Sequence, residues 1–186
     1  MSVTRNVAVL VGSLRKESLN RKMALAMAKL APPALKLEIV EIGQLPHYNP
    51  DYESAPPKEV VDFKARIAAA DAVLFVTPEY NRSVPGLLKN AIDVGSRPSG
   101  KSSWSKKPVG VVSVSPGAIG AFGANHHLRQ SFVFLDMPAM QQPEAYVGQA
   151  GSLFDEHGDI AKEETRKFIE KFLDAFAQWV ERTAAK

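Results

Sequence analysis

The sequence contains no cysteine, which excludes a disulfide framework, a thiolate nucleophile and a cysteine-ligated metal centre. It also lacks an apolar run that could form a membrane helix, because its longest uncharged stretch, 108–128, contains Pro116 and four glycines. The short apolar run before Gly12 is not followed by the small-residue cleavage site of a secretory signal. We therefore expect a soluble, cytoplasmic protein without a membrane partner.

Neither sign of charge dominates, because the sequence has 23 Lys and Arg residues and 20 Asp and Glu residues. Its net charge is +3. This small excess suits a phosphorylated ligand but is too weak to predict nucleic-acid binding. A chain of 186 residues with 45% hydrophobic residues can bury a full core without a metal or disulfide. No repeat or linker divides it, so residues 1–186 are expected to form a single domain.

Short β-branched runs alternate with amphipathic stretches along the whole chain. The continuously apolar run 72–76 predicts a central strand, and the alternation in 35–42 predicts a strand near a sheet edge. The other strands are expected at 6–11, 108–114 and around 137–140. Helices are expected from Ser18 to Pro32, over 58–70, from Ser83 with Pro85 in the first turn, from about 124 through 135, and over 168–180. This order predicts an α/β fold: an open five-stranded parallel sheet, order 2-1-3-4-5, with helices on both faces.

In such a sheet, ligands lie beyond the carboxyl ends of strands 1 and 3, where the winding direction switches. The loop Gly12–Asn20 leaves the first predicted strand and opens a helix, so its N–H groups and the helix dipole favour an anion. Ser13, Ser18 and Asn20 add polar groups, and Arg15 can make a forked contact. A phosphate monoester is the predicted ligand of this loop. An ordinary polar loop with a serine cap and no ligand fits the spacing nearly as well. Dinucleotide and triphosphate glycine motifs are absent.

Two further loops follow the third and fourth strands. In 77–86, Pro78 and Pro85 stiffen a turn whose backbone groups suit the edge of a flat heterocycle, and Tyr80 supplies an aromatic wall or is simply a half-buried loop residue. The glycine-rich loop 113–123 either lets the backbone approach a ligand or is a flexible connection. The adjacent His126 and His127 would point about 100° apart on a helix, so no metal site is predicted.

Three segments of the sequence carry a resemblance to a known family. They are Gly12-Ser13-Leu14-Arg15 with Ser18 and Asn20, the long motif from Thr77-Pro78-Glu79-Tyr80-Asn81 to Asp93, and His127-Leu128-Arg129-Gln130. Together they resemble the NADPH-dependent FMN reductase family, in its chromate and quinone reductase branch. Two features depart from that family. Val94 stands where the family usually has tryptophan, and Ala121-Phe122-Gly123 replaces its usual Gly-Gly-x-Arg pattern.

The resemblance implies a flavodoxin-like fold with bound FMN and NAD(P)H as co-substrate. Electrons would pass to quinones, free flavin, chromate or similar small acceptors. No catalytic side chain is implied, because the chemistry takes place at N5 of FMN, and Glu79 would contribute through its backbone. The implied cofactor-binding residues are Ser13, Leu14, Arg15, Ser18, Leu19, Asn20, Pro78, Glu79, Tyr80, Asn81, Ser115 and Gly117. A homodimer or homotetramer is also implied, and apolar residues at 87, 88, 92 and 132–135 are candidates for its interface.

Two other functions remain compatible with this fold. A flavodoxin-type electron carrier would bind FMN without its own pyridine-nucleotide oxidase activity, but such carriers resemble acidic proteins with a threonine-rich phosphate loop. The net positive charge and Arg15 favour the enzyme. A regulatory or nucleotide-binding module could use the same fold, because a fold alone does not define a function.

Overall fold

The computed structural model describes residues 3–184 and consists of one sheet and the helices around it. The five strands are Arg5–Val11 (β1), Leu35–Ile39 (β2), Ala72–Thr77 (β3), Val109–Val114 (β4) and Ala145–Val147 (β5). The five α-helices are Leu19–Leu30 (α1), Lys58–Ala69 (α2), Gly86–Ser96 (α3), Phe122–Phe134 (α4) and Glu163–Thr183 (α5). None of these helices is both long and apolar enough to cross a membrane.

The strands are all parallel and lie in the order β2-β1-β3-β4-β5, which confirms the predicted topology. Every residue of β3 is buried, as expected for a central strand that is covered on both faces. In the edge strand β2, buried or partly buried residues alternate with exposed ones. The predicted flavodoxin-like fold is therefore correct.

The core has two halves, one on each face of the sheet. On one face, α1 and α5 contribute Met23, Phe172 and Phe176. On the other, α2, α3 and α4 cover Phe75 of the sheet together with Trp104. The contact of α5 with the sheet is close at Gly110 in β4, where an added Cβ would lie 3.1 Å from the Phe176 ring.

The predicted fifth strand at 137–140 is wrong. Ala139 forms only an isolated bridge with Val109, through hydrogen bonds from Val109 N to Pro138 O (3.0 Å) and from Met140 N to Val109 O (2.8 Å). Pro138 has no N–H to donate, so the segment cannot continue as a regular ladder. The chain leaves the sheet and returns at Ala145–Val147, which pairs with the last three residues of β4.

The start of α3 also differs from the prediction, because the helix begins at Gly86 and not at Ser83, with Pro85 just before it. Residues 80–83 instead form a tight turn in which Tyr80 and Ser83 exchange both backbone hydrogen bonds. Asn81 and Arg82 have φ of 51° and 64°, the left-handed values that a two-residue hairpin turn requires and that asparagine tolerates. The edge strand is also shorter than expected and ends at Ile39, not at Ile42.

Candidate active site

Three loops leave the carboxyl ends of β1, β3 and β4: the first loop is 12–18, the second 78–85 and the third 115–121. The first loop lies against the second, since a Cβ on Gly12 would lie 3.0 Å from Pro78 Cδ, and Gly12 N also donates to Val76 O in β3 at 2.9 Å. The helix that the first loop opens reaches the start of the third, because Asn20 Nδ2 donates to Val114 O at 3.3 Å. The three loops singled out in the sequence therefore lie together.

The second loop is fastened to α4 by two side chains. Glu79 Oε2 accepts a hydrogen bond from Ala124 N at 3.1 Å, and Oε1 pairs with Arg82 at 3.2 Å. The carboxylate therefore satisfies a free N–H in the first turn of α4, where the helix dipole favours negative charge. Gly123 permits this approach, because a Cβ there would lie 2.9 Å from Glu79 Oε2. Ser83 Oγ lies 2.9 Å from Nδ1 of His127 on the same helix.

The first loop is exposed at residues 14–17 and then leads into the amino end of α1. Ser18 is the predicted cap, and its Oγ accepts from Arg21 N at 3.2 Å. Ser13 Oγ accepts from Arg15 N at 3.4 Å, while the side chains of Leu14 and Arg15 are exposed and Leu19 is half-buried.

The cations around this loop differ in what they contact. Lys22 pairs with Glu17 at 2.8 Å, and the hydrogen bond lowers the pKa of that carboxyl. Arg21 pairs with Glu41 at 2.6 Å. Within residues 3–184, Arg15 makes no such ion pair. An exposed guanidinium beside a helix amino end is suited to a phosphate.

Asn20 allows a test of whether FMN, the cofactor implied by the resemblance, fits these loops. Its side chain is 4% exposed, and among the residues that the structure describes its Oδ1 is the one buried side-chain polar atom without a hydrogen-bond partner. A buried, unpaired acceptor is costly unless a donor from a ligand or water meets it. FMN carries ribityl hydroxyls that can donate, so the residues fit the cofactor.

The third loop is held against the segment after β5. Gly117 N donates to Ser115 Oγ at 3.1 Å, Ser115 O accepts from Ala150 N at 3.1 Å, and Gly117 O accepts from Gln149 N at 3.1 Å. Gly120 has a φ of 63°, and a Cβ there would lie 2.7 Å from the Tyr146 carbonyl carbon. The loop is thus tied down by hydrogen bonds, unlike the flexible connection considered as an alternative.

An aromatic cluster at the start of α4 was missed by sequence reasoning. Phe122, which is 46% exposed, lies 4.3 Å from His126 and 5.2 Å from Tyr146 between ring centroids. His126 Nε2 is 2.9 Å from the Tyr146 hydroxyl, and burial, aided by a hydrogen bond to Glu144, raises the pKa of Tyr146 to about 12. The only feature of the sequence that could have indicated this cluster is the unusual Ala121-Phe122-Gly123.

The two adjacent histidines, His126 and His127, have different hydrogen-bond partners. Within residues 3–184, no three potential metal ligands lie close together.

A separate cavity of about 200 Å³ lies between α2, the end of α3 and residues 46–56, and it is lined by Val94. Its charged groups are already paired, because Lys64 donates to backbone carbonyls and Arg97 contacts Glu53 at 2.7 Å. It shares no lining residue with the three loops. It is therefore not part of the candidate active site.

A doubly wound sheet of this order, with a polar turn that opens a helix at the switch between β1 and β3, defines the flavodoxin-like class of folds. Residues 5–152 match the family model described as NADPH-dependent FMN reductase. The chain belongs to this family, which confirms the resemblance, and it is an oxidoreductase that uses FMN and NAD(P)H.

Relatives and a solved structure agree with this assignment. The chain is 63% identical to a quinone reductase of Pseudomonas putida, with all of both chains covered. It is 48% identical to a 2-hydroxy-1,4-benzoquinone reductase of a Burkholderia species over 94% of this chain and 95% of the relative. Its fold is similar to that of the flavoenzyme NAD(P)H:(acceptor) oxidoreductase FerB from Paracoccus denitrificans, with a TM-score of 0.93, 44% identity and coverage of 98% and 100% of the two chains.

Proposed function

We propose that this oxidoreductase reduces quinones, and that its FMN lies across the three loops at the carboxyl edge of the sheet. The observation that carries the proposal is the meeting of these loops around the amino end of α1, with Asn20 bonded to Val114 and Gly12 against Pro78. The similarity to two quinone reductases supports the acceptor class. Free flavin and chromate are further acceptors that the family branch suggests.

The phosphate of FMN would lie at the amino end of α1. Ser13, Ser18 and Arg15 provide hydroxyl and guanidinium donors there, next to the exposed Leu14 and the half-buried Leu19. A short loop that leads from a strand into the amino end of a helix favours an anion there.

The flavin ring would lie against the second loop. Pro78 is buried and fixed against Gly12, while Tyr80 is 51% exposed and available as a wall beside Asn81. The Glu79 carboxylate is occupied by Ala124 N and Arg82, so this residue would meet the ring through its backbone. Ser115 and Gly117 of the third loop would pack against the other side.

When bound, FMN accepts a hydride from NAD(P)H and passes electrons to a second substrate. The protein residues position it and supply the surrounding electrostatics. No acid–base side chain needs to act, which is consistent with a second loop whose Glu79 carboxylate serves a helix end.

A spectrum tests this function most directly. Purified protein should bind FMN and show its yellow absorbance, which NADPH should bleach under anaerobic conditions. Steady NADPH oxidation with menadione, without any partner reductase, would show that the protein is an enzyme and not a flavodoxin-type carrier.

The phosphate site is tested by substitution. Arg15→Gln should weaken FMN binding about tenfold or more, whereas Lys171→Gln on α5 should have no effect. A colourless protein that takes up no FMN would contradict the proposal.

We further propose that the chain forms a homodimer or homotetramer through the end of α4. Val133 and Phe134 are 84% and 91% exposed, an unusual arrangement for adjacent large apolar residues. The expected contribution of four other residues is wrong, because all of them are buried in the core of the chain itself: Leu88, Ile92, Phe132 and Leu135. Gel filtration should show a species larger than 20.2 kDa that Phe134→Lys reduces to that mass. An unchanged elution volume for Phe134→Lys would rule out this interface.

Residues 1–186 would act as one functional unit, which is supported by α5: it lies beyond the matched residues 5–152 yet places Phe172 and Phe176 in the core. A cytoplasmic location is supported by the need for NAD(P)H, which cells regenerate there.

A further inference from the structure

The two ends of the third loop are bridged by a buried serine. Ser113 lies one residue before the end of β4 and is fully buried. Its hydroxyl oxygen lies 2.7 Å from the carbonyl oxygen of Gly120, which has a positive φ near the other end of the loop. Residues 116–119, between these ends, are exposed. Ser113 therefore holds the base of a loop whose middle is open to a ligand.

This serine belongs to a chain of hydrogen bonds that runs into α4. The side chain of Asn125 is also fully buried, and its Nδ2 lies 3.3 Å from Ser113 Oγ. On the other side of the amide, Nε of Arg129 donates to Asn125 Oδ1 at 3.0 Å. A second nitrogen of the guanidinium donates to the carbonyl oxygen of Met140 at 2.9 Å. The chain of contacts thus begins at a cation in α4 and ends at the third loop.

Each hydrogen bond in this chain has a fixed direction. A guanidinium can only donate, so the amide atom that faces Arg129 must be the oxygen of Asn125. The amide nitrogen then donates to Ser113, and it also lies 3.5 Å from the carbonyl oxygen of Ala145, where a reversed amide would bring two acceptors together. The hydroxyl has a single proton, which goes to Gly120 O at 2.7 Å because its other acceptor, Ala145 O, is 3.3 Å away.

We infer that Asn125 and Arg129 are positioning residues for the flavin ring, and that they act on the third loop through Ser113. This inference rests on the proposed FMN site, in which the third loop packs against one side of the ring. The charge of Arg129 orients the amide, the amide orients the hydroxyl, and the hydroxyl fixes the loop. Hydrogen bonds that all point the same way strengthen one another, so the loss of one member weakens the hold on the loop.

The same turn of α4 also holds the second loop. The backbone N–H of Ala124 donates to Glu79 Oε2 at 3.1 Å, and the next residue, Asn125, begins the contact with the third loop. Consecutive residues of one helix therefore hold the two loops that are proposed to contact the ring. A broken chain at Asn125 should change how the third loop lies relative to the second. The first loop, which leads into α1, should keep its place.

Removal of one hydroxyl tests the inference. We would measure the Kd of FMN and of riboflavin by flavin fluorescence for the wild type and Ser113→Ala. The variant should weaken both flavins by the same factor, about tenfold, because both carry the ring. It should also change the visible circular dichroism of the bound flavin, which reports the surroundings of the ring. The matched control Ser131→Ala removes a hydroxyl that contacts His127 O elsewhere on α4, and it should change neither quantity.

The role of Arg129 is tested by combining substitutions. Arg129→Met removes the donor to Asn125 and should weaken both flavins, but it should cause no further loss in a chain that already carries Ser113→Ala. Arg129→Lys keeps a donor and should retain most of the affinity. Because Arg129 is only partly buried, these variants test the chain of hydrogen bonds even if Ser113→Ala is too unstable to purify.

Three outcomes would overturn the inference. Unchanged affinity and circular dichroism in Ser113→Ala would mean that the contacts of the third loop with Gln149 and Ala150 suffice to hold it. Weaker binding with an unchanged dichroism of the bound flavin would mean that Ser113 acts only through the stability of the fold. Additive losses in the double variant would mean that Arg129 acts independently of Ser113. If the wild type binds neither flavin, the proposed FMN site itself fails, so the two failures are distinguishable.

Discussion

Glu79 shows how the same residue can be part of a ligand-binding loop and of the scaffold beneath it. Its backbone lies in the second loop, but its carboxylate accepts the Ala124 N–H and contacts Arg82. A carboxylate facing the ring would oppose negative charge on a reduced flavin, and here the carboxylate is instead occupied at the start of α4.

Glu79→Gln should leave turnover nearly intact, because a glutamine oxygen can still accept from Ala124 N. Glu79→Ala removes this acceptor and should destabilise the fold by about 1 kcal/mol. Steady-state kinetics with NADPH and menadione, and urea unfolding of both variants, provide the measurements. A fall in turnover of several orders of magnitude in Glu79→Gln, with unchanged stability, would show that the carboxylate itself takes part in the reaction.

At the scale of secondary structure, α5 allows a test of how the core is packed. This helix lies outside the residues that match the family model. Phe176 is fully buried against Gly110 of β4, whereas Phe168, two turns earlier on the same helix, is only partly buried. Phe176→Ala should therefore cost about 3–5 kcal/mol of unfolding free energy. The matched Phe168→Ala should cost clearly less. Chemical denaturation compares them, and equal losses would contradict the packing described here.

The elements that could be predicted are those whose sequence pattern coincides with their burial. The apolar run 72–76 is a central strand because both faces of the sheet are covered, and Ser18 caps α1 as its position before the apolar stripe indicated. The fifth strand was misplaced because 137–140 is as apolar as a strand. What stops it is the missing N–H of Pro138 in a ladder whose partner residues were not known from sequence.

The residues of the candidate site could be located by sequence, but their individual contacts could not. Strand-end loops meet at one edge of any parallel sheet, so the proximity of the first, second and third loops follows from topology. Which atom of Asn20 is free depends on Val114, 94 residues away, and which group Glu79 contacts depends on Ala124. Such long-range pairings leave no local pattern.

At the scale of the whole molecule, we expect Tyr146 to lower the free energy of unfolding as the pH becomes alkaline. Burial, with a hydrogen bond to Glu144, raises its pKa from about 10 to about 12 in the folded state. The unfolded chain therefore loses this proton at lower pH than the folded protein does, and stability should fall as pH rises from 10 through 12. Tyr146→Phe should flatten this decline in urea unfolding between pH 9 and about 11.5. An identical slope would show that Tyr146 does not contribute.

Removal of FMN should affect three separated parts of the chain at once. FMN at 100 times its Kd should add about 2.7 kcal/mol to the stability of the protein, so the apoprotein should melt at a lower temperature.

Hydrogen exchange should show where FMN binds. Because the first, second and third loops converge, exchange should speed up in all of them when FMN is removed, and remain unchanged in the first turn of α5. Riboflavin should restore protection to the second and third loops more fully than to the first, since it has no phosphate for the amino end of α1. Protection confined to the first loop, with the other two unaffected by FMN, would mean that a phosphate binds there but that the ring lies elsewhere.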